Sequence, residues 1–227
     1  SFCIIPKIRG MYASKPIELI KKEAKLLAEA GVKEIILIAQ DLAYYGYDLY
    51  KKRTLAKLME ELIKVDGVEW IRLHYTYPNH FPLEVLDVMQ ANEKVCHYLD
   101  IPIQHINDTI LSSMQRRITG DEIKKLLEII RHKIPDIALR TSLIVGYPGE
   151  TKKMFKELCT FVEETQFDRL GVFTYSHEEN TKAYTLKDSI SKKEKERRKE
   201  ELIYIQQEIS LQKNKQWKGK TVKVLVD

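Results

Sequence analysis

Cysteine is scarce in this chain, long apolar runs are missing, and neither sign of charge dominates. Three cysteines among 227 residues, Cys3, Cys96 and Cys159, make an odd and scattered set. That count excludes a disulfide scaffold and favours a reducing compartment. On spacing alone it also makes no metal site. No apolar run reaches the roughly 20 residues that a membrane-spanning helix needs. Lys and Arg number 38 against 33 Asp and Glu, a net charge of +5. So mild an excess permits an RNA-rich partner without demanding one. No segment repeats at a fixed period, which excludes a solenoid.

What is present is an alternation of β-rich runs with amphipathic helical runs. Ser14 and Pro16 offer a helix start, and Ile17, Ile20, Ala24 and Leu27 follow with helical spacing up to Gly31. The continuous apolar run Glu34–Ala39 predicts a strand covered on both faces. Further helices are predicted at about 54–65, from Pro82 to about Gln90, at about 108–133 (one or two helices) and at about 151–165. The strands between them are expected at 70–75, 98–103, 138–145 and 169–175. Five strands joined by helical crossovers predict a parallel α/β sheet or barrel. A last helical run covers 191–217 with Leu202, Ile205 and Ile209 as its stripe. Val222, Val224 and Val226 then alternate as in a strand.

Parallel β/α architectures carry their reactive groups at the C-terminal ends of the strands. Gln40 and Asp41 close the first run, and His74 and Tyr75 the second. Gln104 and His105 follow the third, Gly146–Glu150 the fourth, and Tyr175–His177 the fifth. Polar residues on apolar strand ends suit a polar ligand held in a barrel mouth. They name no reaction. The turn Gly146-Tyr-Pro-Gly-Glu150 reads equally as a close approach to a ligand or as a tight strand-to-helix turn with a stabilising first-turn acid.

Several segments together resemble the radical S-adenosylmethionine (SAM) methylthiotransferases. Ser1-Phe-Cys-Ile-Ile-Pro-Lys-Ile-Arg-Gly10 is similar to the tail of that family's Cys-x-x-x-Cys-x-x-Cys motif, with Cys3 as the third cysteine. Arg140-Thr-Ser-Leu-Ile-Val-Gly-Tyr-Pro-Gly-Glu-Thr151 is similar to the family's fifth strand and its turn. Ile38–Asp41, Ile71–Pro78, Leu99–His105 and Gly171–Ser176 look like the branch that modifies an aspartate of a small-subunit ribosomal protein. The other branch modifies an adenosine of transfer RNA.

The resemblance implies a partial (β/α)6 TIM-like barrel over 1–190, its first strand and two further motif cysteines lying upstream of Ser1. It implies a connecting helix over 191–217 and the start of a TRAM β-barrel over 218–227. Cys3 becomes a ligand of a 4Fe–4S cluster and thereby catalytic. Phe2, Gln40, Gln104, Arg140, Ile144 and Gly146 become SAM-binding residues. Gln40 is matched to the methionine end, Gln104 and Arg140 to the ribose and carboxylate, and Phe2, Ile144 and Gly146 to the adenine. Arg140 is favoured for the carboxylate, because a guanidinium pairs with it bidentately. A second 4Fe–4S cluster belongs to a separate N-terminal domain.

Glu150, Cys96 and Cys159 read as structural. His74, Tyr75, His105 and Tyr175 read as wall residues or substrate-facing ones. The run Lys192–Glu201 reads as a solvated helix face before a ribosome contact. The implied partners are the ribosomal protein, on or off the ribosome, and an electron donor. The implied setting is a cytoplasmic monomer without membrane contact. With one motif cysteine, this segment alone is expected to be inactive. The competing readings are the transfer-RNA branch, a ribosome-binding module without catalysis, and another β/α enzyme holding a phosphate at Gly146–Glu150.

Overall fold

The computed structural model describes residues 2–225. After a short helix α1 (Ile5–Arg9), it alternates helices and strands along the chain. These are α2 (Ile17–Glu29), β1 (Glu34–Ile38), α3 (Tyr47–Tyr50), α4 (Leu55–Ile63), β2 (Trp70–His74), α5 (Glu84–Ala91) and β3 (Val95–Asp100). Then come α6 (Asp108–Ser113), α7 (Gly120–Lys133), β4 (Ala138–Val145), α8 (Lys152–Thr165), β5 (Arg169–Thr174) and α9 (Lys192–Lys215). The strands form one parallel sheet in the order β1-β2-β3-β4-β5. Sequential order with helical crossovers is the arrangement of a barrel wall, as the sequence predicts.

Alternation along the strands separates two faces. Ile71, Leu73, Leu99, Leu139, Leu143 and Val145 point to the helical layer and are buried there with Leu58, Leu62, Leu86, Ile123 and Leu158. The opposite, concave face is more polar and half-open. There Ile36 and Ile38 of β1 are 53% and 72% exposed. The expectation that this apolar run is covered on both faces is therefore corrected. β1 ends the sheet, and nothing among the described residues covers its concave side.

Local chemistry sets the helix boundaries. Thr119 and Thr151 cap α7 and α8, and Ser191 caps α9 by accepting from the Glu194 amide at 3.2 Å. Ser14 caps no helix. Pro16 takes the N-cap of α2, while the Ser14 hydroxyl donates to Asp48 at 2.5 Å and accepts from Gly46 N–H at 2.9 Å. The third strand begins and ends three residues earlier than predicted. Beyond Asp100 the chain still tracks β4: Ile101 N–H donates to Arg140 O at 2.9 Å and Gln104 N–H to Ser142 O at 2.9 Å. Between them Ile103 N–H finds the Thr141 hydroxyl, at 3.3 Å, so a side chain interrupts the backbone ladder. Pro102 in the same stretch has no N–H to donate.

Residues 218–225 enter no strand, and the predicted alternation ends at Val226, outside the described residues. Lys223 pairs with Glu69 and lies over the Trp70 ring, 5.6 Å from its centroid, beside the N-terminal end of β2. Among the described residues no helix is long and apolar enough to cross a membrane.

Candidate functional site

The C-terminal strand ends gather at one mouth. Backbone strain concentrates around it: Tyr75, His80, Gln104, Gln115 and Arg117 all have positive φ without being glycine. Side chains held in that region are costly and cluster where a site dictates the backbone.

Cys3 is half-buried in the irregular segment before α1, and its charge would act on Tyr75 and Arg116. The preceding Phe2 packs with Ile144 against Ile110, Met114, Tyr147, Tyr175 and Ala183. Gln104 is buried at φ 76°, and its carbonyl accepts from Ile144 N–H at 2.8 Å. Cys3, Phe2, Gln104, Ile144 and Gly146 thus belong to one end of the sheet. Gln40 is exposed at the end of β1, on a cleft of about 610 Å³ shared with Tyr12, Ser14 and Ile38.

Arg140 belongs elsewhere. It is level with Asp100 in the register, whereas Gln104 is level with Leu143. At about 3.3 Å per residue, three residues place Arg140 about 10 Å below Gln104. Its guanidinium lies 2.8 Å from the Asp100 carboxylate, whose other oxygen is 3.6 Å from His74. Neither Asp100 oxygen has a well-aligned donor, so these are charge contacts rather than good hydrogen bonds. Arg140 is half-exposed on the concave face with its charge matched. Arg140 is thus set apart from Cys3, Phe2 and Gln104, with Asp100 as its charge partner.

Arg116, which the sequence reading passed over, occupies the mouth. It is 6% exposed, donates to Pro102 O, and stacks 4.0 Å from the Tyr77 ring centroid. Burial disfavours its charge, while Tyr77, Tyr75, Asp41 and Cys3 favour it. Its Nε has no hydrogen-bond partner. Asp41 accepts from Ala43 N–H at 3.0 Å and Tyr77 N–H at 3.2 Å, and burial pushes its carboxyl above the ordinary value. The sequence signal was only the pair Arg116-Arg117. Which of two adjacent arginines turns inward is not readable without the helix α6 that precedes them.

The Gly146–Glu150 turn is closed from within. Glu150 Oε2 accepts from the amides of Gly146 and, at 3.2 Å, Tyr147. Its Oε1 lies 3.3 Å from Arg198 and 3.9 Å from His105 Nε2, all three side chains being buried. His105 Nδ1 accepts from Asn107 N–H at 2.9 Å, which puts the proton of the neutral ring on Nε2, facing Glu150. A phosphate at this turn would need those two amides. Glu150 already holds them, so the phosphate reading loses its site.

The family model of the Radical SAM superfamily matches residues 1–162. The chain belongs to that superfamily.

Among curated proteins, this radical SAM chain is 55% identical over all 227 residues to the ribosomal protein uS12 methylthiotransferase RimO of Christiangramia forsetii, covering 50% of it. It is 53% identical to the protein of the same name from Chlorobaculum tepidum, covering 52% of it. The chain spans about half the length of these relatives. Among solved structures, coproporphyrinogen III oxidase (HemN) of Escherichia coli, a radical SAM enzyme, superposes with a TM-score of 0.64 at 23% identity. That match covers 84% of this chain and 45% of HemN. It carries the fold: a parallel sheet of the partial TIM-like type.

The other two cysteines of the radical SAM chain stand apart from the mouth. Cys96 is half-buried on β3, where burial raises its thiol above the ordinary value. Cys159 lies in the core on α8, its thiol pushed up to about 12 by burial. Among the described residues no three of His, Cys, Asp and Glu are grouped to hold a metal. What the mouth offers an iron–sulfur cluster is one thiolate, Cys3. That fits a ligand set of which this chain supplies one member.

Proposed function

We propose that the protein of which this chain is part is a radical SAM methylthiotransferase. It attaches a methylthio group to the β-carbon of an aspartate in a small-subunit ribosomal protein. The relatives named for that activity on uS12 support the substrate. The observation carrying the proposal is the meeting at one strand end of Cys3, Phe2 and a buried Arg116 with an unpartnered Nε.

In this reading Cys3 is one of three thiolates of a 4Fe–4S cluster, the other two lying outside the chain. A cluster held there, with SAM bound, would supply one-electron reductive chemistry at a carbon–sulfur bond. The residues of this chain bind, orient and exclude water. Arg116, rather than Arg140, offers its guanidinium to the SAM carboxylate, because it is desolvated beside Cys3 and has a free donor. Phe2, Ile144 and the backbone at Gln104 and Gly146 form the apolar slot for adenine. Gln40 faces the methionine end from β1. Tyr147 and Tyr175, packed edge-to-face with centroids 5.1 Å apart, wall the slot from behind and keep water from a radical intermediate.

A second cluster in an N-terminal domain, an electron donor and a TRAM domain beginning near residue 218 complete the protein. It acts as a cytoplasmic monomer, and the segment alone is inactive.

Incubating the full-length, cluster-reconstituted protein with SAM, a reductant, a sulfur source, and either the ribosomal protein or transfer RNA tests this. A mass gain of one methylthio group on the protein is expected. Modification of the RNA alone would refute the substrate. Absence of iron uptake would refute the class and leave a non-catalytic ribosome-binding module.

A further inference from the structure

Helix α9 follows the barrel wall in sequence, and its N-terminal half looks in composition like a solvated run of mixed charge. Two of its cations are not solvated. Lys195 and Arg198 are 7% and 3% exposed, three residues apart and so on one helix face. Both reach the backbone at the mouth. Lys195 Nζ donates to Tyr175 O at 3.2 Å, pairs with Asp188 at 2.6 Å, and sits 5.0 Å from the Tyr175 ring centroid. Its methylenes fill the place a side chain would take at Gly146, where any Cβ would collide with Lys195 Cγ. Arg198 donates to Glu150 O at 3.0 Å, approaches Glu150 Oε1 at 3.3 Å, and pairs with Glu194 at 2.9 Å.

The groups these cations hold are the last rung of the β4–β5 ladder and the turn beyond it. Tyr175 N–H donates to Val145 O at 2.8 Å, next to Gly146. Glu150 holds the Gly146 and Tyr147 amides and faces His105, which directly follows Gln104. Burying two cations is costly, and apolar side chains would dock a helix at lower cost. Besides the carboxylates of Asp188 and Glu194, their hydrogen bonds go to backbone carbonyls at the strand end and the turn, Tyr175 O and Glu150 O.

We propose that Lys195 and Arg198 are positioning residues, which lock the Gly146 turn and the end of β5 in the geometry that receives the nucleoside part of SAM. The proposal rests on the radical SAM reading above for its ligand. It assigns α9, outside the strand–helix repeat, a part in forming the site.

The test uses full-length protein carrying Lys195→Met, which keeps the methylenes and removes the charge, and Arg198→Met. Ile209→Ala, a buried position 14 residues further along α9 than Lys195, controls for weakened helix docking. Amide exchange at Gly146, Tyr147 and Tyr175 is measured without cofactor, and SAM affinity is measured with the cluster in place. Both cation variants should speed exchange at these amides and weaken SAM binding about tenfold or more, the size of losses from supporting residues. Ile209→Ala should change neither, and Lys195→Arg should restore most of the affinity. Unchanged exchange in both cation variants, or equal changes in Ile209→Ala, overturns the proposal. If Lys195→Met fails to fold, Asp188→Asn, which removes only the counter-charge, should give the same exchange signature, and its absence counts against the proposal. If the unsubstituted protein binds no SAM, the radical SAM reading fails, and amide exchange still decides whether α9 orders the turn.

Discussion

Replacing Glu150 by Gln changes one atom and should cost far more than its size suggests. The carboxylate ties three parts of the protein together. One oxygen holds the Gly146 and Tyr147 amides, and the other faces Arg198 at 3.3 Å and His105 at 3.9 Å. A glutamine can still accept from the two amides. Its NH2 group then meets Arg198 and the Nε2–H of His105, so three donors converge with no acceptor. Breaking a buried charge pair by removing one partner costs about 3–5 kcal/mol. Arg198 keeps Glu194 at 2.9 Å, which puts the loss near the lower end, about 3 kcal/mol. For a chain of this length, that corresponds to a fall in Tm of about 6–12 °C. Thermal unfolding followed by circular dichroism measures it. The comparison is Glu23→Gln, which breaks the exposed Lys15–Glu23 pair and should cost under about 1 kcal/mol. Equal Tm values for the two variants would refute the reading of Glu150 as the tie between turn and helix.

Four further outcomes are expected. In the full-length protein, Arg116→Met should weaken SAM binding by about tenfold or more, and Arg140→Met should weaken it much less; calorimetric titration compares them. Phe167 is fully buried and packs on Phe161 at 5.7 Å, so Phe167→Ala should destabilise by about 3–5 kcal/mol in urea unfolding. Cys159, with its thiol held near 12 by burial, stays neutral at pH 8 and should resist iodoacetamide until the protein is denatured, as peptide mass mapping would show. Arg197 and Arg198 lower the Glu194 carboxyl from 4.5 to about 2. A depressed carboxyl contributes stability that is present above pH 4.5 and lost as pH falls through about 2. Glu194→Gln should therefore flatten the dependence of Tm on pH across that window.

Much of the fold was legible because periodicity reports burial directly. Ile17 and Ala24 are buried as their helical spacing predicts, whereas Leu27 of the same predicted stripe is 41% exposed, and the fourth strand covers the predicted 138–145. The ends of the first and fourth strands were legible for the same reason, since Gln40 and Gly146 interrupt apolar runs, whereas the third strand ends at Asp100, ahead of Gln104. Misreadings arose where a distant partner decided the outcome. Ser14 has the chemistry of a cap, but Asp48, 34 residues away, takes its hydroxyl. β1 reads as doubly covered, but nothing among the described residues packs over the concave side of Ile36 and Ile38. The run 192–201 is mostly solvated, as its composition says, except for the two cations that face the barrel.

By itself the sequence determined the alternation of elements, the parallel sheet, and the family to which Cys3 and the Gly146 turn belong. These are local patterns, and each residue carries its own share of them. The tertiary structure alone decided which charges are buried. Arg116 and Arg140 are the same side chain on the same barrel. One is enclosed at the mouth beside Cys3, and the other is matched by Asp100 about 10 Å below Gln104. That difference comes from strand register and from where α6 ends. Both are set by contacts between residues far apart in the chain, which no local pattern records.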